Sequence, residues 1–313
     1  MSELNQAQRR VIDLLGKSER APTFEADLAD RLRDALEDAL APLAGHLGDE
    51  ILWVSKHALS TVHGCEANHV AAQAAPFEWS VPTVRGTVAH KAIELAVHWR
   101  GEAMPMELVD EAIARLQDSD RGAGRWLQAL ATGQLAQLRG EATDLVAKFL
   151  ECFPPLKKEW WPVTESRAHV DLLGGAIVLS GKVDLTLGRP TTTPTKVIID
   201  LKSGLPVVGH REDLRFYALL ETLRLGTPPR MLATYYLDAA RAQPEEVTTD
   251  LLLAALRRTI DGVTKMAELQ RGGRPPDVRP GSTCRWCPLV EDCPEGTAHL
   301  AEAAADDEPD RDA

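Results

Sequence analysis

Two short segments in the chain carry acids and a lysine that could do metal chemistry. Residues 181–184 read Gly-Lys-Val-Asp, and residues 198–202 read Ile-Ile-Asp-Leu-Lys. Residues two apart in a strand point to the same face of a sheet, so Asp200 and Lys202 should emerge together. The Thr- and Pro-rich stretch between the segments predicts a hairpin, which would bring Asp184 near Asp200. Two carboxylates can hold a divalent cation, and the lysine can position or help to deprotonate a water that attacks a phosphate.

Three cysteines near the C-terminus are a second feature that indicates metal chemistry. Cys284, Cys287 and Cys293 form a C-x2-C-x5-C array. In a cytoplasmic protein such clusters bind metal more often than they form disulfides, and three thiolates need a fourth ligand. Cys65 is the better candidate because it lies in a polar stretch, whereas Cys152 follows an apolar helical run and is expected to be a buried thiol. The spacing leaves zinc and an iron–sulfur cluster open.

The composition is that of a globular protein with a real core. The chain has 313 residues, of which 44% are hydrophobic and 26% are charged. No stretch approaches the roughly 18 unbroken apolar residues of a membrane span, and the N-terminus lacks a signal-peptide pattern. We therefore expect a cytoplasmic protein without membrane contact. The net charge of −12 argues against broad attraction to nucleic acid, although an acidic protein can still present a basic groove.

The periodicity of hydrophobic residues predicts the elements that would position these groups. A loop is expected at 60–72, around Cys65, and two strand segments are expected between 165 and 184, joined near Gly174 and Gly175. Helices, strands and helix–strand–helix follow one another in an order that predicts a mixed sheet flanked by helices. The further helices are predicted within 4–44 and at 86–99, 107–116, 125–149, 211–225 and 248–269, and the further strands at 197–201 and 230–237.

The ordered set of motifs resembles the RecB-type branch of the PD-(D/E)XK nuclease superfamily, which includes CRISPR-associated RecB-like exonucleases. The resemblance spans roughly residues 55–296. Its pieces are Cys65, then Gly86-x3-His90-x3-Glu94, Gly181-x2-Asp184, Asp200-x-Lys202, a helix ending in Tyr217, and the array Cys284, Cys287 and Cys293 followed by Pro-Glu-Gly.

The resemblance implies an α/β fold of PD-(D/E)XK, restriction-endonuclease-like type, with a mixed sheet flanked by helices. The nuclease domain would cover residues 51–300 and would contain a helical insertion at about 100–155. A helical segment at 1–50 would precede this domain, and an acidic disordered tail at 301–313 would follow it.

The resemblance also implies roles for individual residues. A Mg²⁺ or Mn²⁺ ion would be held by His90, Asp184, Asp200 and the backbone carbonyl of Leu201. Lys202 would position the attacking water and stabilise charge on the phosphate. Asp184, Asp200, Lys202 and Tyr217 would form the catalytic set, and Glu94 would support the site from one helical turn away.

The cysteines and the substrate follow from the same resemblance. Cys65, Cys284, Cys287 and Cys293 would hold a structural [4Fe-4S] cluster, with zinc as the alternative. The activity would be a metal-dependent DNA exonuclease acting on single-stranded ends in DNA repair, recombination or defence, with a helicase or a repair complex as partner. The alternative is a non-catalytic DNA- or protein-binding module that keeps the fold and an iron–sulfur cluster or zinc.

Three further features bear on how the chain would contact DNA. The family's helix after D-x-K carries Gln-x3-Tyr, but here Asp213 stands in place of the glutamine, which puts the DNA contacts of this helix in doubt. Residues 157–161, Lys-Lys-Glu-Trp-Trp, could stack on bases or could belong to the core. The arginines between 271 and 285 could line a DNA path or a solvated loop; they are Arg271, Arg274, Arg279 and Arg285.

Overall fold

The computed structural model describes residues 4–16, 21–48, 50–119, 122–207 and 209–306. Its strands are β1 (Leu52–Val54), β2 (Val163–Leu172), β3 (Ile177–Leu187), β4 (Val197–Lys202), β5 (Met231–Tyr236) and β6 (Arg241–Glu246). Its helices are α1 (Gln6–Leu15), α2 (Leu28–Leu40), α3 (Ala44–Leu47), α4 (Lys56–Gly64), α5 (Glu66–Ala74), α6 (Val81–His98), α7 (Pro105–Asp118), α8 (Ala123–Gln128), α9 (Thr132–Cys152), α10 (Gly209–Leu225), α11 (Thr249–Leu269) and α12 (Pro294–Asp306).

The strands form one mixed sheet in the order β1-β3-β4-β5-β6, and β2 also pairs with β3. The β3–β4 and β5–β6 pairs are antiparallel, whereas β1–β3 and β4–β5 are parallel. β5 is buried along its whole length and β4 nearly so, as expected of strands covered on both faces. β6 carries exposed residues and Pro244, which suits an edge strand because proline cannot donate to a neighbouring strand.

The chain divides into two compact units. The first unit contains residues 1–31, 79–168 and 181–253. Its core packs the apolar faces of α6, α7 and α9 with the buried residues of β4 and β5. Three aromatic side chains meet in this core: Phe149 stacks on Phe153 with ring centroids 4.8 Å apart, and Tyr235 meets both rings edge-on. Burial of such large side chains stabilises the unit by roughly 1.5–3 kcal/mol each.

The second unit contains residues 32–78, 169–180 and 254–313. Within it, β1 runs parallel to the first residues of β3, with Leu52 opposite Ile177. α11 passes very close to α4 at Gly262, where an added Cβ would lie 2.5 Å from Leu59 Cδ2. The missing side chain at this position is therefore what allows the two helices to approach.

The predicted elements are largely confirmed, with two corrections. The hairpin joined near Gly174 and Gly175 is present as β2 and β3, and the predicted helix at 86–99 is the longer α6. The loop predicted at 60–72 is wrong, because these residues lie in α4 and α5, which meet at Cys65. The helix predicted at 125–149 is interrupted between α8 and α9.

Both ends of the chain extend beyond the described ranges. The helical N-terminal segment predicted at 1–50 contains α1, α2 and α3, with residues 1–3, 17–20 and 49 outside the described residues. α12 continues to Asp306, so the first six residues of the tail predicted as disordered are helical. Residues 307–313 lie outside the described residues. Within the described ranges, no helix has the length and apolarity needed to cross a bilayer.

Candidate active site

The paired ends of β3 and β4 bring two carboxylates together, as the sequence predicts. Leu185 lies opposite Ile199 in the antiparallel register, and the residues next to this pair are Asp184 on β3 and Asp200 on β4. The backbone N–H of Leu201 donates a hydrogen bond of 2.8 Å to Asp184 Oδ2. This bond fixes the Oδ2 atom of Asp184, whereas the position of the Oδ1 atom depends on the neighbouring side chains.

His90 reaches the same place from α6. Its Nδ1 lies 3.4 Å from Asp184 Oδ1. The helix is held in position because Ala89 and Ile93, which flank His90, belong to the core of the first unit. Gly86, one turn earlier, lets the helix approach the chain after β4, since an added Cβ would lie 2.8 Å from Ser203 Oγ. The G-x3-H spacing therefore has two physical reasons. Gly86 allows the helix to pack closely, and His90 is placed where it can serve as a metal ligand.

Glu165 on β2 is the third group at this point, and the sequence analysis missed it. One ligand atom each from His90, Glu165 and Asp184 lies within 4.8 Å of the other two. Glu165 has a left-handed backbone with φ of 53°, which is uncommon for a residue other than glycine within a strand. Such strained residues cluster at functional sites, where surrounding structure holds them in place. Lys182, exposed on the neighbouring strand, forms an ion pair with Glu165.

Asp200 and Lys202 form a pair beside the compact set of His90, Glu165 and Asp184. Asp200 is fully buried, and the Lys202 Nζ lies 2.8 Å from Asp200 Oδ2. The same Nζ lies 3.8 Å from Oδ2 of Asp213 on α10. The compact set therefore differs from the predicted ligand set, since Glu165 stands in it and Asp200 holds the lysine. The predicted role of the Leu201 carbonyl stays a prediction.

The electrostatics of the site are dominated by its carboxylates. Burial alone would lower the pKa of His90, but Asp184, and after it Asp200 and Glu165, outweigh burial and raise that pKa above its ordinary value. Burial, with a contribution from Asp200, likewise raises the pKa of Tyr236. Several acids converging on one imidazole form a donor set that suits a hard divalent cation such as Mg²⁺ or Mn²⁺. The residues present therefore fit the ion that the resemblance implies.

Comparison with known proteins shows the family of the chain. A family model described as the PD-(D/E)XK nuclease superfamily matches residues 54–294, most of the chain. The chain belongs to the PD-(D/E)XK nuclease superfamily. Nucleases of this superfamily typically use divalent metal ions, and the fold implies DNA as substrate. The mixed sheet flanked by helices is thus confirmed as the PD-(D/E)XK fold, whereas the finer assignment to the RecB-like branch stays a prediction.

Two solved structures match this PD-(D/E)XK chain at low sequence identity. The first is the "Putative exonuclease" from Eubacterium rectale, with a TM-score of 0.49 and 13% identity over 77% of this chain and 87% of that chain. The second is SSO0001, with a TM-score of 0.33 and 14% identity over 84% of this chain and 93% of that chain. No protein among the curated sequences matches this chain. The argument for activity therefore depends on the family match and on the site.

On α10, the helix that follows D-x-K in this superfamily member, Tyr217 has a main-chain partner, and its predicted catalytic role stays a prediction. Tyr217 is only 2% exposed, and its hydroxyl donates a 2.8 Å hydrogen bond to the carbonyl of Lys182. Its ring lies against Gly181, where an added Cβ would meet Tyr217 Cε1 at 2.4 Å. Arg224, further along α10, pairs with Glu221 at 2.8 Å. In this arrangement Tyr217 holds β3 against α10, and its hydroxyl is directed at the main chain.

Two other side chains have partners away from the compact set. Glu94, predicted to support His90, pairs with Lys91 at 2.9 Å. His210 Nδ1 lies 3.2 Å from the hydroxyl of Tyr236 at the end of β5. Asp213, which replaces the family's glutamine, meets Lys202, so its carboxylate faces a cation within the site.

The four predicted cluster ligands line one cavity in the second unit; they are Cys65, Cys284, Cys287 and Cys293. Backbone N–H groups are directed at three of these sulfurs: Arg279 to Cys65 at 3.5 Å, Gly281 to Cys284 at 3.3 Å and Gly296 to Cys293 at 3.3 Å. Burial, and then the neighbouring cysteines, raise the pKa of Cys287. Hydrogen bonds to sulfur stabilise thiolates, so this chemistry fits a metal or an iron–sulfur cluster.

A partly buried ion pair involves the residue next to Cys65. Glu66, which directly follows Cys65, accepts hydrogen bonds from Arg274 at 2.5 and 2.9 Å and from the backbone N–H of Asp277 at 3.0 Å. Arg274 is therefore paired with a carboxylate and does not belong to a free basic surface. Arg285 lies over the ring of Trp286, and the side chain of Arg271 lies outside the described residues.

Proposed function

We propose that the chain is a Mg²⁺- or Mn²⁺-dependent deoxyribonuclease that acts from single-stranded DNA ends. The observation that carries the proposal is the compact set of His90, Glu165 and Asp184 beside the Asp200–Lys202 pair. This arrangement matches what phosphodiester hydrolysis needs, which is a cation site next to a fixed positive side chain.

The residues that would hold the cation are His90, Glu165 and Asp184, with Asp200 adjacent. A divalent cation bound here would supply Lewis acidity to the phosphate and would make a water molecule a better nucleophile at neutral pH. The protein's own contribution begins with Asp184, whose fixed oxygen is oriented by the Leu201 N–H. Because these groups are fixed before the substrate arrives, little reorganisation is needed during reaction.

Lys202 would act on the phosphate from the other side of the site. Its ammonium group is held between Asp200 and Asp213, at 2.8 and 3.8 Å, and is thus restrained to a narrow region. From there it can donate a hydrogen bond to a non-bridging phosphate oxygen and stabilise the charge that develops in the transition state. Asp213 would then restrain Lys202 without contacting DNA, which removes the reason to expect repulsion at this helix.

The cavity of four cysteines would hold a structural [4Fe-4S] cluster. The backbone N–H groups directed at three of the sulfurs support a bound metal or cluster, and zinc stays the alternative. A role in repair, recombination or defence, a helicase or repair-complex partner and a cytoplasmic location stay predictions.

A cleavage assay tests the proposed activity directly. The full chain, purified anaerobically, would be incubated with end-labelled single-stranded, duplex and circular DNA and with Mn²⁺. We expect degradation of the single strand from its ends, and we expect Asp184→Asn and Lys202→Ala to slow cleavage by at least about 100-fold, as loss of one electrostatic stabiliser does. Asp110→Asn is the matched control, because Asp110 pairs with Arg139 on the surface of the first unit.

Two outcomes of this assay would count against the proposal. Cleavage by both variants at the parent's rate would remove the assigned residues from the chemistry. A parent that binds DNA and never cleaves it, with either metal and on every substrate, would favour the non-catalytic DNA-binding module instead.

A further inference from the structure

An exposed tryptophan and an arginine lie stacked at the end of the β2–β3 pair. Trp161 precedes β2 and is 48% exposed. The guanidinium carbon of Arg189, which follows β3, lies 3.4 Å from the centre of the Trp161 ring. That separation is contact distance for a planar guanidinium stacked on an aromatic face. The two side chains thus form one flat surface that is partly open to solvent.

The backbone at Trp161 is strained, and exposure of the side chain does not explain this strain. Its φ is 51°, in the left-handed region that bulky residues seldom adopt. A non-glycine residue in this conformation is strained, so the surrounding structure must hold it there. The hydrogen bond from the Gly188 N–H to the Trp160 carbonyl, at 2.7 Å, is one such restraint. The free energy gained by burying the side chain does not offset this strain, because about half of the side chain stays in solvent.

The side chains that the structure places over the rings of Trp160 and Trp161 are cations, in a protein whose net charge is −12. Among the residues that the structure describes, no carboxylate oxygen lies within 4 Å of the Arg189 guanidinium, unlike Arg215, Arg224 and Arg274, which are paired. Lys157 Nζ lies 5.7 Å from the centre of the adjacent Trp160 ring and adds a second cation–π pair. A basic and aromatic surface in an acidic protein is the composition that single-stranded nucleic acid requires.

The platform formed by Trp161 and Arg189 also lies within reach of the cation site. Trp161 and Glu165 are four residues apart, and an extended chain spans at most about 3.3–3.6 Å per residue, so their Cα atoms are at most about 14 Å apart. Arg189 follows Asp184 by five residues on the other side of the same pair. A nucleic-acid strand whose phosphate occupies the site could therefore place a base a few nucleotides away on the ring.

We propose that Trp161 and Arg189 form a stacking platform for an unpaired base of the DNA strand that enters the site. The ring would supply the stacking surface, and the guanidinium would extend that surface and attract the phosphates. Because stacking tolerates any base, the platform would favour single strands over duplexes without selecting a sequence. This inference rests on the proposed nuclease function and names the form of substrate that the site would receive.

Binding measurements with the full chain test the platform separately from catalysis. Every protein would carry Lys202→Ala, so that DNA is not consumed, and fluorescence anisotropy would give the Kd for oligothymidine and for an abasic strand of equal length. We expect Trp161→Ala to weaken oligothymidine binding by about 5- to 150-fold, the range for loss of one stacked base. The Kd for the abasic strand should change by less than about twofold.

Conservative variants keep the test decisive if Trp161→Ala fails to fold. Trp161→Phe keeps a smaller ring and should lose less affinity than the alanine variant. Arg189→Lys keeps the charge and loses the planar group, so it should weaken oligothymidine binding more than abasic binding. Trp53→Ala removes an exposed tryptophan of the second unit, 61% exposed, and should leave both Kd values unchanged.

Two results would overturn the platform. Equal losses for oligothymidine and the abasic strand would show that Trp161 acts only through electrostatics or folding, and unchanged Kd values would show that the pair merely fastens the hairpin. A failure of the nuclease proposal would look different, because the chain with Lys202 intact would leave end-labelled DNA uncut whatever these Kd values are.

Discussion

The hydroxyl of Tyr217 offers a test that separates a structural role from a catalytic one. It donates to the Lys182 carbonyl at 2.8 Å, and the ring is only 2% exposed. Tyr217→Phe keeps the ring and removes the hydrogen bond to the Lys182 carbonyl. A typical hydrogen bond contributes about 0.5–1.5 kcal/mol net, and more is lost when a buried partner is left unsatisfied. We therefore expect the free energy of unfolding to fall by about 1 kcal/mol.

Tyr235 supplies the matched control. It is fully buried, and among the described residues its hydroxyl has no hydrogen-bond partner. Removing that hydroxyl also removes the cost of burying it unpaired, so Tyr235→Phe should leave stability unchanged or raise it. Urea unfolding of both variants against the parent measures the difference.

Cleavage kinetics on the same proteins decide the role of Tyr217. If its hydroxyl holds β3 in place, the turnover rate of Tyr217→Phe should stay within about threefold of the parent's, since most of the loss appears in stability. Turnover slowed by about 100-fold or more, with unchanged stability, would refute this reasoning. Such a result would mean that the hydroxyl contacts the substrate in the transition state, as the family resemblance implies.

Two further perturbations test the interior and the cysteine cavity. Lys196→Ala should lower the free energy of unfolding by about 3 kcal/mol, because it leaves the buried Glu221 with Arg224 as its remaining partner. Arg224→Ala should lower it by less than about 1 kcal/mol. Equal effects of the two variants in urea unfolding would contradict the assignment of the buried pair. Cys287→Ser should lose the absorbance near ~400 nm and lower the thermal midpoint together, while Cys152→Ser should keep both; a colourless parent would point to zinc, which is d¹⁰.

The part of the site that depends on local pattern could be predicted from the sequence. An apolar run before Asp200 and a turn-rich stretch predict the β3–β4 hairpin, whose antiparallel pairing ends at Leu185 and Ile199, next to Asp184 and Asp200. The place of His90 came from the G-x3-H spacing, which family resemblance supplied. The structure adds that the glycine in this spacing makes room for Ser203.

Glu165 could not be predicted because its position depends on an unusual backbone conformation. Its neighbours Thr164 and Ser166 give no signal for a left-handed residue, and that conformation is maintained by the surrounding fold. The sequence places Glu165 in a strand without showing which way it points. Its distance in sequence from His90 also hides the contact, since 75 positions separate them.

Tyr217 and the region around Cys65 show how tertiary packing overrides a local reading. Helical spacing puts Asp213 and Tyr217 about one turn apart, but it could not tell that Gly181 leaves room for the ring in the core. The stretch around Cys65 looked like a loop because it is polar. Its helices form because Val62 and His69, on either side of Cys65, are buried.

Direct binding of Mn²⁺ tests the central claim, that His90, Glu165 and Asp184 hold a cation together. Mn²⁺ would be titrated into the parent, into Glu165→Gln and Asp184→Asn, and into the control Asp110→Asn, all without DNA. Electron paramagnetic resonance would measure the concentration of free Mn²⁺ at each step. We predict that the parent and the control bind alike and that each of the other two variants loses at least about tenfold in affinity, since each removes a charged ligand. Unchanged Mn²⁺ affinity in both Glu165→Gln and Asp184→Asn would contradict the account.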